Sequence, residues 1–227
     1  MMAYTQLTSS LSGLVVEPKQ TASACVIWLH GLGDSADGFA PIVNSLHLPA
    51  TSSIRFIFPN APEQAVTING GYIMRAWYDI KSLDLHDRAD MPGVMASEQL
   101  INQLIDDQIA KGIPANKILL AGFSQGGVVS LFTGLRCQHT LAGLMALSCY
   151  LPGGDRLPAA LSAENRATPI LFQHGQQDDV VIPAAAEMAR DALLEGGYPL
   201  DFSFFPVAHG LSAEQILPIR QFILSRC

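Results

Sequence analysis

The sequence predicts an α/β fold, a mostly parallel central sheet with helices on both faces. Three observations carry this. Strand-like runs rich in β-branched and aromatic residues alternate with helical patterns along most of the chain. Several of those runs are apolar at consecutive positions, so both faces are buried, as in a parallel sheet covered on both sides. The 227 residues are 49% hydrophobic and only 15% charged, enough for a large core without a metal or disulfide staple. No repeat, low-complexity tract or linker divides residues 1–227, which read as one domain.

In chain order, "GLVVEP" (13–18) and "SACVIWLH" (23–30) read as strands, 36–47 as a helix and "SIRFIFPN" (53–60) as a strand. From Ala61 to Gly93 the periodicity is weak, and long irregular loops in compact domains are often binding loops. This segment carries Tyr72, Ile73, Met74, Trp77, Tyr78 and Leu83. They either anchor a surface excursion or wall a substrate pocket, with Ile73, Met74 and Trp77 as the pocket candidates. Over 94–111, Leu100, Ile101, Leu104, Ile105 and Ile109 make one helical apolar stripe. Strand "KILLAGF" (117–123), helix 126–137 and strands "LAGLMALSCY" (141–150) and "PILFQHG" (169–175) follow. Helix 183–195, strand "DFSFFPV" (201–207) and helix 213–225 complete the pattern.

The net charge of −7 comes from 20 acidic and 13 basic residues, and no Lys/Arg cluster offers a nucleic-acid footprint. None of Cys25, Cys137, Cys149 and Cys227 falls in a CxxC or Cys/His zinc spacing. Buried free thiols in a reducing, cytoplasmic compartment fit that pattern. The first twenty residues lack the positive region and apolar core of a signal peptide. Residues 118–135 and 137–154 are uncharged, but "GFSQGG" and "LPGG" interrupt them, so a strand, turn and buried helix explain them better than a membrane span.

Gly122-Phe123-Ser124-Gln125-Gly126 matches G-x-S-x-G, with a strand before it and a helix after it. Ser124 therefore stands on the sharp turn where a nucleophile elbow belongs. Glycine flanks it because Cβ atoms would clash in so tight a turn. A serine hydroxyl needs a base to take its proton. His47, His86 and His139 have no strand-end context, and His30 and His174 read as structural histidines before a glycine. His209, in "FPVAHGLS" after the last strand, shares the carboxyl-end edge of the sheet with Ser124. The base needs an acid to set its tautomer. "GQQDDVVIP" offers two, Asp178 and Asp179, each giving the order Ser…Asp…His of this fold class.

"LHGLGDSADGF", "GFSQGG", "HGQQDDVV" and "AHGLS", in this order over most of the chain, closely resemble the acyl-protein thioesterase/carboxylesterase/lysophospholipase family of α/β hydrolases. "RAWYDI" (75–80) resembles that family's tryptophan segment. The resemblance implies an α/β-hydrolase fold. Its HG-x-x-D spacing selects Asp178 as the acid. It also implies an oxyanion hole made by the backbone N–H groups of Gln125 and Leu32. One departure is Cys149 in "LSCYLP", where the family would have glycine, which is expected to narrow the space beside the site edge.

"VIWLHGLGDSADGF" (26–39) has a second reading, since Gly31, Gly33 and Ala36 fit the dinucleotide fingerprint G-x-G-x-x-G/A. That fold requires an acid at the end of the next strand to bind ribose, and here the strand ends "FIFPN". The glycines instead bend an oxyanion loop. The expectation is a serine hydrolase for short- to medium-chain carboxylic esters, acting through Ser124, His209 and Asp178 and an acyl-enzyme. It needs no organic cofactor and no metal. The partner is a small acyl-ester or acyl-thioester substrate, with no nucleic acid and no transmembrane segment; a homodimer is left open. The alternatives are lysophospholipase or acyl-protein thioesterase activity and, in another class, a hydrolase-fold module that binds without turnover.

Overall fold

The computed structural model describes residues 3–82, 84 and 88–227. Leu83 and His86 lie outside the described residues. In chain order the strands are β1 (Ala3–Gln6), β2 (Gly13–Glu17), β3 (Ala24–Leu29), β4 (Ile54–Pro59), β5 (Glu63–Val66) and β6 (Tyr72–Arg75). They continue as β7 (Ile118–Phe123), β8 (Gly143–Leu147), β9 (Ile170–Gly175) and β10 (Leu200–Phe205). The helices are α1 (Ala36–Phe39), α2 (Ile42–Ser45), α3 (Met91–Ala110), α4 (Gln125–Arg136), α5 (Pro183–Glu195) and α6 (Ala213–Arg226). Eight strands form one sheet in the order β1-β2-β4-β3-β7-β8-β9-β10. From β4 through β3 to β10 every pairing is parallel, while β1 and β2 are antiparallel additions at one edge. This is the α/β-hydrolase fold.

The two-residue period of the strands splits the core into two layers. Cys25, Ile27 and Leu29 of β3 face one side with Ile118 and Leu120 of β7. Val26 and Trp28 face the other with Leu119 and Ala121. The first layer is closed by α3, α4 and α5 through residues such as Ile101, Val128 and Ala189, the second by Ala36, Val43, Ile219 and Ile223 of α1, α2 and α6. Apolar burial on this scale, at about 25 cal/mol per Å², dominates the stability of the fold.

Three differences from the sequence reading have local causes. The helix expected over 36–47 is two four-residue helices, α1 and α2, separated around Pro41, whose ring cannot donate to a continuing ladder. α3 starts at Met91, three residues early, because Asp90 caps it by accepting from the Gly93 N–H at 3.0 Å. The 61–93 segment contains a hairpin, β5–β6, in the register Glu63↔Arg75 to Val66↔Tyr72. Its turn ends in Gly70 and Gly71, at φ +67° and +79°, which only glycine adopts without strain. Among the described residues no helix is long and apolar enough to cross a membrane.

Candidate active site

β3, β7, β9 and β10 run parallel, so the segments that leave them all emerge on one edge of the sheet. Those segments carry Leu32, Ser124, Asp178 and His209 respectively. Ser124 sits between β7 and α4 at φ +53°, ψ −120°, a conformation that costs a non-glycine residue on the order of 1–3 kcal/mol. The elbow is held because the Ser124 N–H donates to Leu147 O at 2.8 Å. Close backbone approach demands the flanking glycines: a Cβ on Gly126 would lie 2.5 Å from both Leu29 O and His30 O.

Ser124 Oγ is 2.9 Å from His209 Nε2, and His209 Nδ1 is 2.7 Å from Asp178 Oδ2. The other carboxylate oxygen accepts from the N–H groups of Val180 and Val181 at 3.0 and 2.8 Å. Burial alone would push the Asp178 carboxyl up. The bond from His209, the Val181 N–H and the neighbouring imidazoles outweigh it and hold the group below the usual aspartate value. Asp178 is thus an ionised, nearly inaccessible acceptor, and the proton between it and His209 belongs to Nδ1. That leaves the Nε2 lone pair for the Ser124 hydroxyl. Asp179, the rival acid, is exposed.

The loops that carry Asp178 and His209 are fastened to each other. Gln176 N–H donates to Phe205 O at 2.8 Å and Gln177 N–H to Val207 O at 3.1 Å. Phe123 packs on the imidazole of His209, ring centroids 5.0 Å apart. His30 and His174 are structural, as their positions suggested. The His30 Nδ1–H donates to Gly31 O at 2.7 Å and its Nε2 accepts from Ala61 N–H at 3.1 Å. His174 Nε2–H donates to Val181 O at 2.8 Å beneath Asp178. Burial lowers the pKa of both, so both stay neutral.

Leu32 and Gln125 border a cavity of about 460 Å³ that opens onto Ser124 and His209. Among the described residues neither N–H has a hydrogen-bond partner, whereas the next two in the loop do: Gly33 N–H donates to Arg75 O (2.9 Å) and Asp34 N–H to Gly31 O (3.3 Å). The dinucleotide reading finds no support in this loop. Asn60, where an acid would bind ribose, accepts from the Ala36 N–H at 2.7 Å through its side chain.

The pocket candidates require correction. Ile73, Met74 and Trp77 do not line the cavity, whose apolar walls come from Ile68, Ile80, Val180 and Val181 with Tyr78 and Tyr150. Ile73 is 64% exposed beside Tyr72 at 70%, both next to the Gly70-Gly71 turn of the hairpin. Trp77 is buried and used as a brace, its Nε1–H donating to His30 O at 2.9 Å. Cys149 is also off the cavity wall. It is buried against α4, where a Cβ on Gly127 would lie 2.8 Å from its own Cβ. Tyr78, one of the apolar residues noted in the 61–93 segment, does line the wall, whereas the sequence reading missed Tyr150 and Arg88. A buried cation inside a stretch of weak periodicity carries no sequence signal. Among the described residues no set of three or more His, Cys, Asp or Glu side chains could hold a metal ion.

The chain matches the family described as phospholipase/carboxylesterase over residues 12–226. It is 38% identical to acyl-protein thioesterase 1 of Schizosaccharomyces pombe over 219 residues, 95% of this chain and 96% of that protein. It is 34% identical to a protein of Oryza sativa subsp. japonica named as a probable carboxylesterase, over 95% of this chain and 84% of the relative. Among solved structures, Arabidopsis thaliana SOBER1 superposes with a TM-score of 0.83 at 30% identity, covering 89% of this chain and 98% of that one.

Proposed function

The chain belongs to the phospholipase/carboxylesterase family and is a serine hydrolase of the carboxylesterase/thioesterase type, and on that premise we propose that Ser124, His209 and Asp178 are its catalytic triad. The observation that carries this is the hydrogen-bonded line from Ser124 Oγ through the His209 ring to a carboxylate whose other oxygen is already occupied.

Ser124 Oγ attacks the acyl carbonyl while His209 Nε2 takes its proton. The carbonyl oxygen becomes an oxyanion that accepts from the Leu32 and Gln125 N–H groups; one such donor is worth roughly 10²–10³ in rate. Collapse of the tetrahedral adduct expels an alcohol or thiol, which takes the proton from His209. Water then attacks the acyl-serine by the same route and releases the carboxylic acid. Asp178 stays ionised and stabilises the imidazolium formed in each half.

The preferred substrates are esters of short to medium acyl chains. A cavity of about 460 Å³ with one apolar wall supports this, lying in the lower part of the range usual for small-ligand sites. The second reading, thioester cleavage, is favoured by the relative named acyl-protein thioesterase, since the triad treats an S-acyl group as it treats an O-acyl group. Hydrolysis of p-nitrophenyl esters with acyl chains from two to sixteen carbons tests the choice. An optimum at the short end supports the ester reading. An optimum at the long end overturns the chain-length claim and favours deacylation of lipids or lipidated proteins.

A further inference from the structure

Arg88 lines the same cavity as Ser124 and His209, is only 8% exposed, and among the described residues forms no ion pair. Its Nη2 donates to Val180 O at 3.0 Å, its guanidinium carbon lies 5.3 Å from the centre of the Tyr150 ring, and its Nε is buried with no partner among the described residues. Two partly buried arginines elsewhere do have a carboxylate: Arg55 pairs with Glu17 at 3.0 Å and Arg136 with Glu98 at 2.8 Å. Among the described residues none pairs with Arg88. Asp34 and Asp179 also border the cavity, but neither reaches ion-pair distance of it. Asp179 is exposed, and Asp34 accepts from the Ser35 N–H at 2.7 Å.

Beside this cation stands a second unused donor. Tyr78 and Tyr150 face each other across the wall, hydroxyl to hydroxyl at 2.9 Å. One proton is spent between them, which leaves the other hydroxyl proton free. Burial raises the pKa of both phenols, so both keep their protons. A desolvated, incompletely bonded guanidinium next to a free hydroxyl is costly in an empty protein and is completed by an oxyacid anion, which matches the arginine fork.

We propose that the cavity selects carboxylic esters that carry a second, anionic oxyacid group, a carboxylate or phosphate, and that Arg88 is the residue that reads it. This rests on the ester-hydrolase reading of Ser124 and adds the substrate class to it. The anion sits on the acyl part or on the leaving group, and the two sources separate experimentally. The acyl arm compares p-nitrophenyl monoesters of adipic and suberic acid with p-nitrophenyl hexanoate and octanoate. The leaving-group arm compares 4-carboxyphenyl hexanoate with phenyl hexanoate.

The readout is the ratio of kcat/KM for the charged to the uncharged ester, in wild type, Arg88→Gln and Arg88→Lys. Arg88 also holds Val180 next to the acid loop, and damage there would lower both rates together and leave the ratio unmoved. In one arm the ratio is expected to fall about tenfold or more in Arg88→Gln, with partial recovery in Arg88→Lys, which keeps the cation without the fork. Added salt should weaken the wild-type preference. A ratio that is the same in wild type and Arg88→Gln in both arms overturns the proposal. The uncharged hexanoate reads the triad by itself: its turnover with an unmoved ratio sinks only the Arg88 reading, whereas no turnover of any ester sinks both readings.

Discussion

The side chain of Gln125 holds the backbone on either side of Trp77: its Oε1 accepts from the Trp77 N–H at 2.8 Å and its Nε2 donates to Tyr78 O at 2.7 Å. Trp77 in turn donates its indole N–H to His30 O, and its carbonyl accepts from Ser97 Oγ on α3. The residue whose backbone N–H is proposed to hold the oxyanion thus uses its side chain to tie α4 to the Trp77-Tyr78 segment, which in turn braces His30 at the end of β3. Gln125→Ala leaves two buried backbone groups unpaired and is expected to cost about 2–4 kcal/mol of stability. A urea denaturation midpoint equal to wild type would show that this brace carries no load.

The two neighbouring acids should behave differently. Asp178→Asn keeps the shape but lets His209 present the wrong tautomer, and kcat should fall roughly 10³–10⁴-fold. Asp179→Asn, at an exposed position, should change kcat by less than about tenfold. Steady-state kinetics on one ester decides this, and the opposite pattern would transfer the acid role to Asp179.

Stability should decline on acidification in two stages. His30 and His174 have pKa values lowered by burial, so below the ordinary imidazole value near 6.5 the unfolded chain binds more protons than the folded one. Their contribution is whole above about pH 6.5 and is lost as the pH falls through the lowered values. Asp178 adds a second loss below about pH 4, because its carboxyl is held under the usual value in the fold. Urea midpoints measured from pH 8 to pH 3 test both stages, and a midpoint constant from pH 7 to pH 5 contradicts the histidine assignment.

Gly127 and Cys149 form a matched pair. Gly127→Ala would put a methyl group 2.8 Å from the Cys149 Cβ and 2.9 Å from its Sγ, an overpacking worth about 1–3 kcal/mol. Cys149→Gly should relieve part of it, and a double-mutant cycle on the thermal midpoints measures the coupling. Additive effects would mean that the two sites do not press on each other.

The meeting of Ser124, His209 and Asp178 was legible because all three follow strand ends. Once "KILLAGF", "PILFQHG" and "DFSFFPV" are read as parallel strands, the residues that follow them must share one edge, and Ser124, Asp178 and His209 are such residues. The cavity walls were not legible, since they depend on which face of an irregular segment turns inward. Ile73 and Tyr78 lie in the same weakly periodic stretch, yet one is 64% exposed and the other fully buried. The Gly70-Gly71 pair was the available sign of a hairpin there. Arg88 and the Gln125 brace depend on tertiary partners distant in sequence, Val180 and Trp77, and no local pattern encodes them.

The most direct test combines pre-steady-state hydrolysis of p-nitrophenyl butyrate with labelling by a serine-directed fluorophosphonate, in wild type and Ser124→Ala. Wild type should release a burst approaching one nitrophenolate per chain and carry the label on Ser124, while Ser124→Ala should show neither and retain the wild-type melting temperature. Turnover by Ser124→Ala at the wild-type rate, or a label on another residue, would contradict the assignment of Ser124 as nucleophile.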